Sequence, residues 1–486
     1  MPEIKIVDTT LRDAHQCLWA TRMTTAMMLP VAETMDRTGF DTIDLMSSPQ
    51  FDVCVRYLKE NPWERIRLMR RKVTHTKIQA GLRSRSLLSF DVQPDDVILL
   101  WLECMVKAGI RRIRPIDGLF NFDGVGAILR KGKELGIEAV GAMVYTHSPV
   151  HTDAFYAAKT KEMVERIGNL DVMKIKDPGG LLTPDRIRTL VPAMLKVMGK
   201  VPLELHSHCV SGLAPLVYLE GVKAGVTLID TSIAPLASGP AQPATQIVLH
   251  NLRHMGYTLN IDDKLIDEVS EHFRKVAKNE GKPLGAAMEY DAFHYEHQVP
   301  CGMQSNFEFQ LAQAGLSSKL DEVLHECARI RVELGYPVMV TPFSQLVGIQ
   351  AVLNVVQGAR YKTVPDEVKK YALGYYGDLV SPVDPDVLDR IVANGSPKIA
   401  LRAQLPDPVV PALRKKYPNM CDEERLLRHL YAGSQVDDML AAGEMPTEYF
   451  FDTPLVKLLS ELSKRRTPAR ICIEKGSTRL EIAPAN

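Results

Sequence analysis

The chain has 486 residues, of which 59 are basic and 59 are acidic. This balance gives no indication of a nucleic-acid partner or of an anionic membrane surface, and the length predicts one large domain with a second one. No run of about 18 apolar residues is present, and the opening MPEIKIVDTT enters a strand without a signal peptide, so we expect a cytoplasmic protein. The eight cysteines form no C-x-x-C pair, which argues against a disulfide or zinc–cysteine framework.

The first half of the chain repeats one strand–helix unit eight times. The short, β-branched strand candidates span residues 4–8, 42–46, 77–81, 112–116, 137–145, 172–175, 202–205 and 226–230. Stretches of helical periodicity separate them, and this alternation is typical of an α/β fold of the (β/α)8 barrel type, which we predict for residues 1–262. An open doubly wound sheet uses the same units. The barrel is favoured because no G-x-G-x-x-G follows the first strand and because polar residues cluster after strands one, six and seven.

The second half is mostly helical from about residue 263, as in DDKLIDEVSEHFRKVAKNEG and SQLVGIQAVLNVVQG. No low-complexity linker precedes these helices, so we expect a helical domain over residues 263–470 that packs directly against the barrel. The last stretch, residues 471–486, alternates polar and apolar residues around a Lys-Gly turn and predicts a terminal strand or hairpin.

Four residues in three distant fragments are candidate ligands of one metal ion: Asp13 in DTTLRDAHQ, Lys176 in MKIKDPGG, and His206 and His208 in LELHSH. Each fragment follows a predicted strand, and the carboxyl ends of barrel strands share one face. An H-x-H pair on a strand places both imidazoles on the same side. A protonated lysine repels a cation, so Lys176 qualifies only if CO2 has added to its amine to give an anionic carbamate.

Each of these residues also has an ordinary interpretation. Asp13 alone is compatible with a helix cap or a surface ion pair, Lys176 with a solvated loop residue, and the H-x-H pair with polar core histidines. Their joint placement at the ends of barrel strands favours the metal site. Because the ligand set offers oxygen and nitrogen but no thiolate, Zn²⁺, Mn²⁺ and Co²⁺ all fit.

Seven long stretches allow comparison with known families: TLRDAHQCLWATRM, YLKENPWERIRLMRR, VYTHSPVHT, IKDPGGLLTP, HQVPCGMQSNF, VTPFSQLVGIQAVLNVV and ALGYYG. They resemble the carboxyltransferase domains of biotin-dependent enzymes, namely pyruvate carboxylase, oxaloacetate decarboxylase and the large transcarboxylase subunit. The resemblance implies a barrel capped by a helical funnel, the conserved carboxylase domain. It also implies a divalent metal held by Asp13, carboxylated Lys176, His206 and His208.

The same resemblance implies roles for residues near the metal. Gln16 and Arg83 are expected in the pocket as hydrogen-bond donors to the substrate or to biotin, with Tyr145 near the same face. Arg83 and Lys176 are also expected to meet the biotin cofactor. Arg83 is equally well explained as a plain loop arginine.

The proton shuttle of the family has no direct counterpart here. In pyruvate carboxylase a threonine in the loop after strand eight carries the proton between biotin and substrate. In this chain the loop is LASGPAQPAT, with Pro240 and Ala241 where hydroxyls would stand. Ser238 is the candidate replacement.

Two parts of a complete biotin enzyme are not found in the sequence. No biotin-accepting A-M-K-M hairpin exists, since the similar V-M-K-I at residues 172–175 lies in predicted strand six, and no ATP-handling half or P-loop is visible. We therefore expect carboxybiotin on a separate carrier protein and a separate biotin carboxylase as partners. The resemblance further implies a homodimer.

The acceptor of the carboxyl group is predicted from departures from the family pattern. Pyruvate-using relatives have W-G-G-A-T-F/Y-D after strand two, R-G-Q-N after strand three and F-R-V-F-D at strand four, where this chain has MSSPQFD (46–52), RSRS (83–86) and IRPID (113–117). Because the chemistry-bearing residues are intact while the substrate end differs, we expect a non-pyruvate methyl ketone, such as an aryl ketone of the acetophenone type.

Three alternatives stay open. The first is a pyruvate or oxaloacetate carboxyltransferase in which these positions have drifted neutrally. The second, weaker one is a metal-dependent aldol-type lyase or synthase, since DTTLRD and H-x-H occur there too, although the lysine ligand does not. The third is a non-catalytic assembly protein, which the retention of all four ligands argues against.

Overall fold

The computed structural model describes residues 3–88, 91–300, 303, 307, 311–312, 315–402, 405–452, 456, 458, 471–475 and 478–482. Cys301, part of HQVPCGMQSNF and part of the expected terminal segment lie outside these residues. The seven cysteines that it describes are free. Within the described ranges, no helix is long and apolar enough to cross a membrane.

Eight parallel strands form a closed barrel, in which each strand pairs with the next and the first pairs with the eighth. They are β1 (Lys5–Asp8), β2 (Thr42–Met46), β3 (Lys77–Arg83), β4 (Arg112–Ile116), β5 (Glu138–Val144), β6 (Val172–Asp177), β7 (Leu203–Ser207) and β8 (Leu228–Thr231). Pairing of β1 with β8 excludes an open doubly wound sheet, so the predicted (β/α)8 barrel is confirmed. In the register of β6 and β7, Lys176 lies beside His206.

Helices connect the strands and surround the barrel. They are α1 (His15–Leu18), α2 (Thr25–Arg37), α3 (Ser48–Val53), α4 (Pro62–Lys72), α5 (Asp95–Ala108), α6 (Phe122–Glu134), α7 (Asp153–Ile167), α8 (Pro184–Met198), α9 (Ala214–Ala224) and α10 (Thr245–His254). Local sequence sets their starts: before α4, the Asn61 side chain accepts hydrogen bonds from the backbone N–H groups of Trp63 and Glu64, and Pro62 takes the first helical position. A π-helical turn, Thr10–Ala14, follows β1 and carries Asp13.

Strands β6 and β7 continue two residues beyond the predicted ends at 175 and 205, and so include Lys176 and His206. The sequence prediction ended each strand where its apolar run ends. The interior of this barrel accepts charged side chains because they are paired with one another. Four of them are completely buried and joined in one chain of ion pairs: Arg112, Glu204, Lys174 and Asp230.

A second group of helices follows the barrel. They are α11 (Asp263–Glu280), α12 (His294–His297), α13 (Leu320–Glu333), α14 (Phe343–Gln357), α15 (Asp366–Ala372), α16 (Pro385–Asn394), α17 (Val410–Lys416), α18 (Asp422–Leu430) and α19 (Gly433–Ala441), with an antiparallel pair, β9 (Ile471–Lys475) and β10 (Thr478–Ile482). His294 Nε2 donates to the carbonyl of Gly179 over 2.7 Å, and Thr146 donates to the Gln298 side chain over 2.7 Å. Gly179 and Thr146 follow β6 and β5, so this region packs on the carboxyl-end face of the barrel.

The lysine of the V-M-K-I stretch is enclosed in the barrel. Lys174 is 0% exposed, its Nζ lies 2.7 Å from Glu204 Oε1, and it also pairs with Asp230. A biotin-accepting lysine must be exposed at the tip of a turn for a ligase to reach it. Lys174 therefore takes no part in biotin attachment.

Expression of the chain together with a biotin ligase and excess biotin should leave it without covalent biotin. A streptavidin blot and the intact mass of the purified chain measure this, with a biotin carrier domain expressed in the same cells as the positive control. A streptavidin-positive chain with a mass increase of one biotin would contradict the prediction.

Candidate active site

Three ligand atoms converge at the carboxyl-end face of the barrel: Asp13 Oδ2, His206 Nε2 and His208 Nε2. The carboxylate oxygen lies 3.1 Å from the His206 nitrogen and 3.4 Å from the His208 nitrogen, and the two nitrogens are 3.1 Å apart. The point equidistant from the three atoms lies about 1.9 Å from each, close to the roughly 2.0–2.2 Å of zinc–nitrogen and zinc–oxygen bonds. The spacing of the three atoms therefore fits the binding of a divalent cation.

Both imidazoles are turned toward this point by hydrogen bonds on their other nitrogen. His206 Nδ1 donates to Asp230 Oδ2 over 2.6 Å, and His208 Nδ1 donates to the carbonyl of Pro240 over 2.6 Å. Because a carbonyl oxygen only accepts, the proton of neutral His208 belongs on Nδ1, which leaves the Nε2 lone pair for a cation. Such partners on the distal nitrogen are typical of histidine metal ligands.

Asp13 is held in its ionised form. Burial would raise the pKa of this carboxyl, but Arg12, whose guanidinium lies 2.7 Å away, and Lys176 hold the pKa well below its ordinary value. Burial lowers the pKa of His208, yet Asp13 and Cys17 raise it to about 10, so a proton is favoured between imidazole and carboxylate. A divalent cation takes that place only by displacing the proton, as is usual for metal binding to histidine.

Lys176 completes the group. Its Nζ lies 3.4 Å from His206 Nε2 and 3.7 Å from Asp13 Oδ2, and the residue is 5% exposed. Burial lowers the pKa of Lys176 to about 7, with Asp13 opposing and the cations Arg114 and Arg12 adding to the effect. An amine of this kind loses its proton near neutrality and can add CO2, and the two arginines that disfavour the ammonium favour an anionic carbamate. The residues present thus fit a metal with a carboxylated lysine ligand.

A cavity of about 390 Å³ opens beside these residues. Asp13, Lys176 and His208 line it at the barrel end, and residues after α12 and before α14, among them Pro300 and Thr341, line it from the helical region. The helical region therefore forms part of the wall of the reaction space, and solvent access is reduced on that side.

Gln16 and Arg83 line this cavity, as the sequence predicted for the pocket. Arg83 is partly buried, and its Nε donates to the carbonyl of Leu87 over 3.2 Å. Among the described residues it forms no ion pair with a carboxylate. Burial lowers the pKa of Arg83 to about 10, with Asp52 opposing, so the side chain remains a cation at neutral pH.

Two other expected residues are not brought to the cavity in the described part of the chain. Tyr145 is buried with its ring stacked on Tyr156 at a centroid distance of 5.6 Å, so it packs into the barrel wall. Ser238 lies in a tight turn with φ +73°, where its N–H donates to the carbonyl of Gln242 and its carbonyl accepts from Ala241. Ser238 is not among the described residues that line the cavity, and the sequence could not show the backbone path of this turn.

Gln242 is a site residue that the sequence analysis missed. Its Nε2 donates to Asp13 Oδ2 over 3.3 Å and lies 3.0 Å from His208 Nε2, while its Oε1 accepts from Thr9 over 2.8 Å. The residue is completely buried, so its amide fixes the position of the ligand atoms. Its place in the polar loop after the eighth strand was the available signal.

The comparisons with known proteins agree with this geometry. Residues 295–447 match the family model of the conserved carboxylase domain. The chain is 39% identical over 427 residues to a pyruvate carboxylase subunit of Methanocaldococcus jannaschii, an alignment that covers 87% of this chain and 74% of the relative. It is 34% identical over 471 residues to the 2-oxoglutarate carboxylase large subunit of Hydrogenobacter thermophilus, with 94% of this chain and 72% of the relative covered. The chain belongs to the carboxyltransferase family of biotin-dependent carboxylases.

Solved structures give the same architecture. The carboxyl transferase domain of Rhizobium etli pyruvate carboxylase with pyruvate superimposes with a TM-score of 0.84 at 22% identity, and 99% of this chain and 84% of that chain are covered. This solved structure shows the same fold, a barrel with a helical region. The relatives at 39% and 34% identity make the chain a metal- and biotin-dependent carboxyltransferase. Because the chain belongs to this family, we reject the alternative of a metal-dependent aldol-type lyase or synthase.

Replacement of Lys176 by arginine should remove the metal. Lys176→Arg keeps a positive charge and forms no stable carbamate, so an anionic ligand is replaced by a cation about 4 Å from Asp13. We expect metal content, measured by plasma mass spectrometry after dialysis, to fall well below one ion per chain, and turnover to fall with it.

Lys131→Arg is the matched control, because Lys131 forms a surface ion pair with Glu103 at 2.9 Å. It should keep the metal content and melting temperature of the wild type. A Lys176→Arg variant with wild-type metal content and rate would show that the carbamate is not a ligand.

Proposed function

We propose that this carboxyltransferase moves a carboxyl group from carboxybiotin, presented by a separate carrier protein, to the enolate of a 2-oxo acid of the pyruvate class. The observation that carries the proposal is Arg83, a partly buried cation that lines the cavity and has no ion-pair partner among the described residues. An unpaired charge that is partly removed from water is destabilising, and a substrate carboxylate would compensate it.

The unpaired Arg83 guanidinium distinguishes between the two acceptor classes that the sequence left open. A neutral aryl methyl ketone would leave Arg83 unpaired inside a filled cavity, whereas a 2-oxo acid brings a carboxylate for a bidentate contact. The names of two relatives, a pyruvate carboxylase and a 2-oxoglutarate carboxylase, also point to 2-oxo acids for those proteins. No relative described above is named for an aryl ketone, and that expectation stays a prediction without support.

The residues around the cavity would serve the reaction as follows. Asp13, His206, His208 and carboxylated Lys176 would hold the divalent metal, which when bound polarises a ketone oxygen and makes the neighbouring C–H acidic. Arg83 would orient the substrate carboxylate, and Gln16 would donate a hydrogen bond in the same cavity. Which of Zn²⁺, Mn²⁺ and Co²⁺ is used follows from availability as much as from this nitrogen and oxygen ligand set.

The proposed transfer balances without a further reactant. The N–CO2 bond of carboxybiotin breaks, the C–H bond next to the ketone breaks, a C–C bond forms between the enolate carbon and CO2, and the released proton goes to the biotin nitrogen. The helical region that lines one side of the cavity would limit loss of CO2 to water.

The proposed partners are a biotin carrier protein, which would supply carboxybiotin, and a separate biotin carboxylase, which would load it with ATP and bicarbonate. The names of two relatives support this, since both are described as subunits, and the enclosed Lys174 offers no biotin attachment site within the barrel. We also propose that the chain forms a homodimer, which light scattering of the purified chain tests. We further propose domain boundaries at residues 262 and 470, which limited proteolysis tests.

Reconstitution with a biotin carboxylase and a biotinylated carrier should give fixation of ¹⁴C-bicarbonate that depends on a 2-oxo acid. The panel is pyruvate, 2-oxobutyrate, 2-oxoglutarate and acetophenone, with the Lys176→Arg variant as the inactive control. Fixation into acetophenone with none into the three 2-oxo acids would refute the proposed acceptor class and restore the aryl-ketone prediction.

Substitution of Arg83 should weaken the use of 2-oxo acids specifically. Arg83→Gln removes the proposed carboxylate partner, and we expect kcat/KM for the 2-oxo acid to fall by roughly 100-fold through KM. Arg85→Gln is the control, because the Arg85 guanidinium is already bound to Asp95 at 2.8 and 3.0 Å. Equal effects of the two substitutions would remove Arg83 from substrate binding.

A further inference from the structure

Three serines line the reaction cavity: Ser47, Ser48 and Ser344. Ser48 and Ser344 are each 1% exposed. They differ in their hydrogen bonds. Ser344 Oγ donates to Gln345 Oε1 over 2.9 Å. Ser48 Oγ has no hydrogen-bond partner within the described residues. Buried hydroxyls nearly always have a hydrogen-bond partner. A buried hydroxyl without one, in a residue that lines a cavity, therefore indicates that a bound ligand provides the partner.

The position of Ser48 is fixed by its neighbours. It is the first residue of α3, directly after β2, and Pro49 follows it. Gln50 anchors this turn, because its Nε2 donates to the carbonyl of Arg12 over 2.9 Å and its Oε1 accepts from Ser47. The hydroxyl is therefore presented by a rigid segment, which is the condition for a binding contact rather than a mobile side chain.

Arg114 provides a second open donor in the same cavity. Its Nε is buried without a partner in the described structure, and its NH2 lies 3.8 Å from Asp44 Oδ2, too far for a hydrogen bond. The guanidinium reaches the cavity across Gly81, where a Cβ would stand 2.5 Å from the NH2 atom. Two open donors on one cavity wall indicate a ligand rich in acceptor oxygens.

We propose that Ser48 is a substrate-binding residue, whose hydroxyl donates to an oxygen of the carboxyl acceptor beside the metal site. This inference rests on the proposed function, in which the acceptor is a 2-oxo acid. Where this chain has Ser48, the pattern of the pyruvate-using relatives has glycine, so the contact adds a hydrogen bond that their pattern does not offer. Ser48 thereby contributes to the choice among 2-oxo acids.

The test compares Ser48→Ala with Ser344→Ala in the full chain. Both remove the hydroxyl of a residue that is 1% exposed and lines the cavity, but only the Ser48 hydroxyl lacks a hydrogen-bond partner within the described residues. The probe is oxamate, an unreactive isostere of pyruvate, titrated by calorimetry into metal-loaded protein. We expect Ser48→Ala to bind oxamate about tenfold more weakly or worse, and Ser344→Ala to bind as the wild type does.

Steady-state kinetics with the 2-oxo acid panel give the second readout. For Ser48→Ala we expect a matching loss in kcat/KM that differs between pyruvate, 2-oxobutyrate and 2-oxoglutarate, with metal content and melting temperature unchanged. Wild-type oxamate binding and kinetics in Ser48→Ala would overturn the inference, and so would equal losses in the two variants.

The design also separates this inference from the proposed function. If the wild-type enzyme carboxylates a ketone but no 2-oxo acid, the proposed function is wrong. The variants are then compared by kcat/KM for that ketone, where an unchanged Ser48→Ala variant overturns the role of Ser48.

Discussion

The hydrogen bond from His206 Nδ1 to Asp230 Oδ2 is the contact on which the site depends. It fixes the imidazole so that Nε2 faces Asp13 and His208, and it is possible only because β7 and β8 are neighbours in a closed parallel barrel. The same Asp230 oxygen also pairs with Lys174, which is held in turn by Glu204. The candidate metal ligands therefore lie next to a layer of paired, buried charges inside the barrel, and the loss of one of these charges would leave its partners buried and unpaired.

These buried ion pairs explain why two lysines of the same strand differ in their chemistry. Lys174 lies between two carboxylates at hydrogen-bonding distance and is locked in ion pairs. Lys176, two residues further on the same side of β6, has its nearest carboxylate at 3.7 Å and two arginines in its surroundings. Lys174 is therefore held in structural ion pairs, whereas Lys176 carries an amine that CO2 can reach from the cavity. The period-two geometry of the strand places both toward the barrel interior.

Much of the architecture could be predicted from the sequence because strand–helix alternation and closure at eight units are properties of local patterns. The convergence of Asp13, His206 and His208 followed, since strand ends share a face. The ends of β6 and β7 could not be predicted, because polarity patterns do not reveal that buried charges are paired. The place of Ser238 outside the cavity lining, and the contact of Gln242 with Asp13 and His208, depend on the backbone path of one irregular loop. Such paths have no periodicity to recognise.

A crystal structure of the chain grown with a divalent metal and bicarbonate tests the central claim most directly. The account predicts an anomalous peak about 2.0–2.2 Å from Asp13, His206 and His208, and density for a carboxyl group on Lys176 Nζ that reaches the same ion. An ion bound elsewhere, or a metal at this position with an unmodified Lys176 turned away from it, would contradict the account.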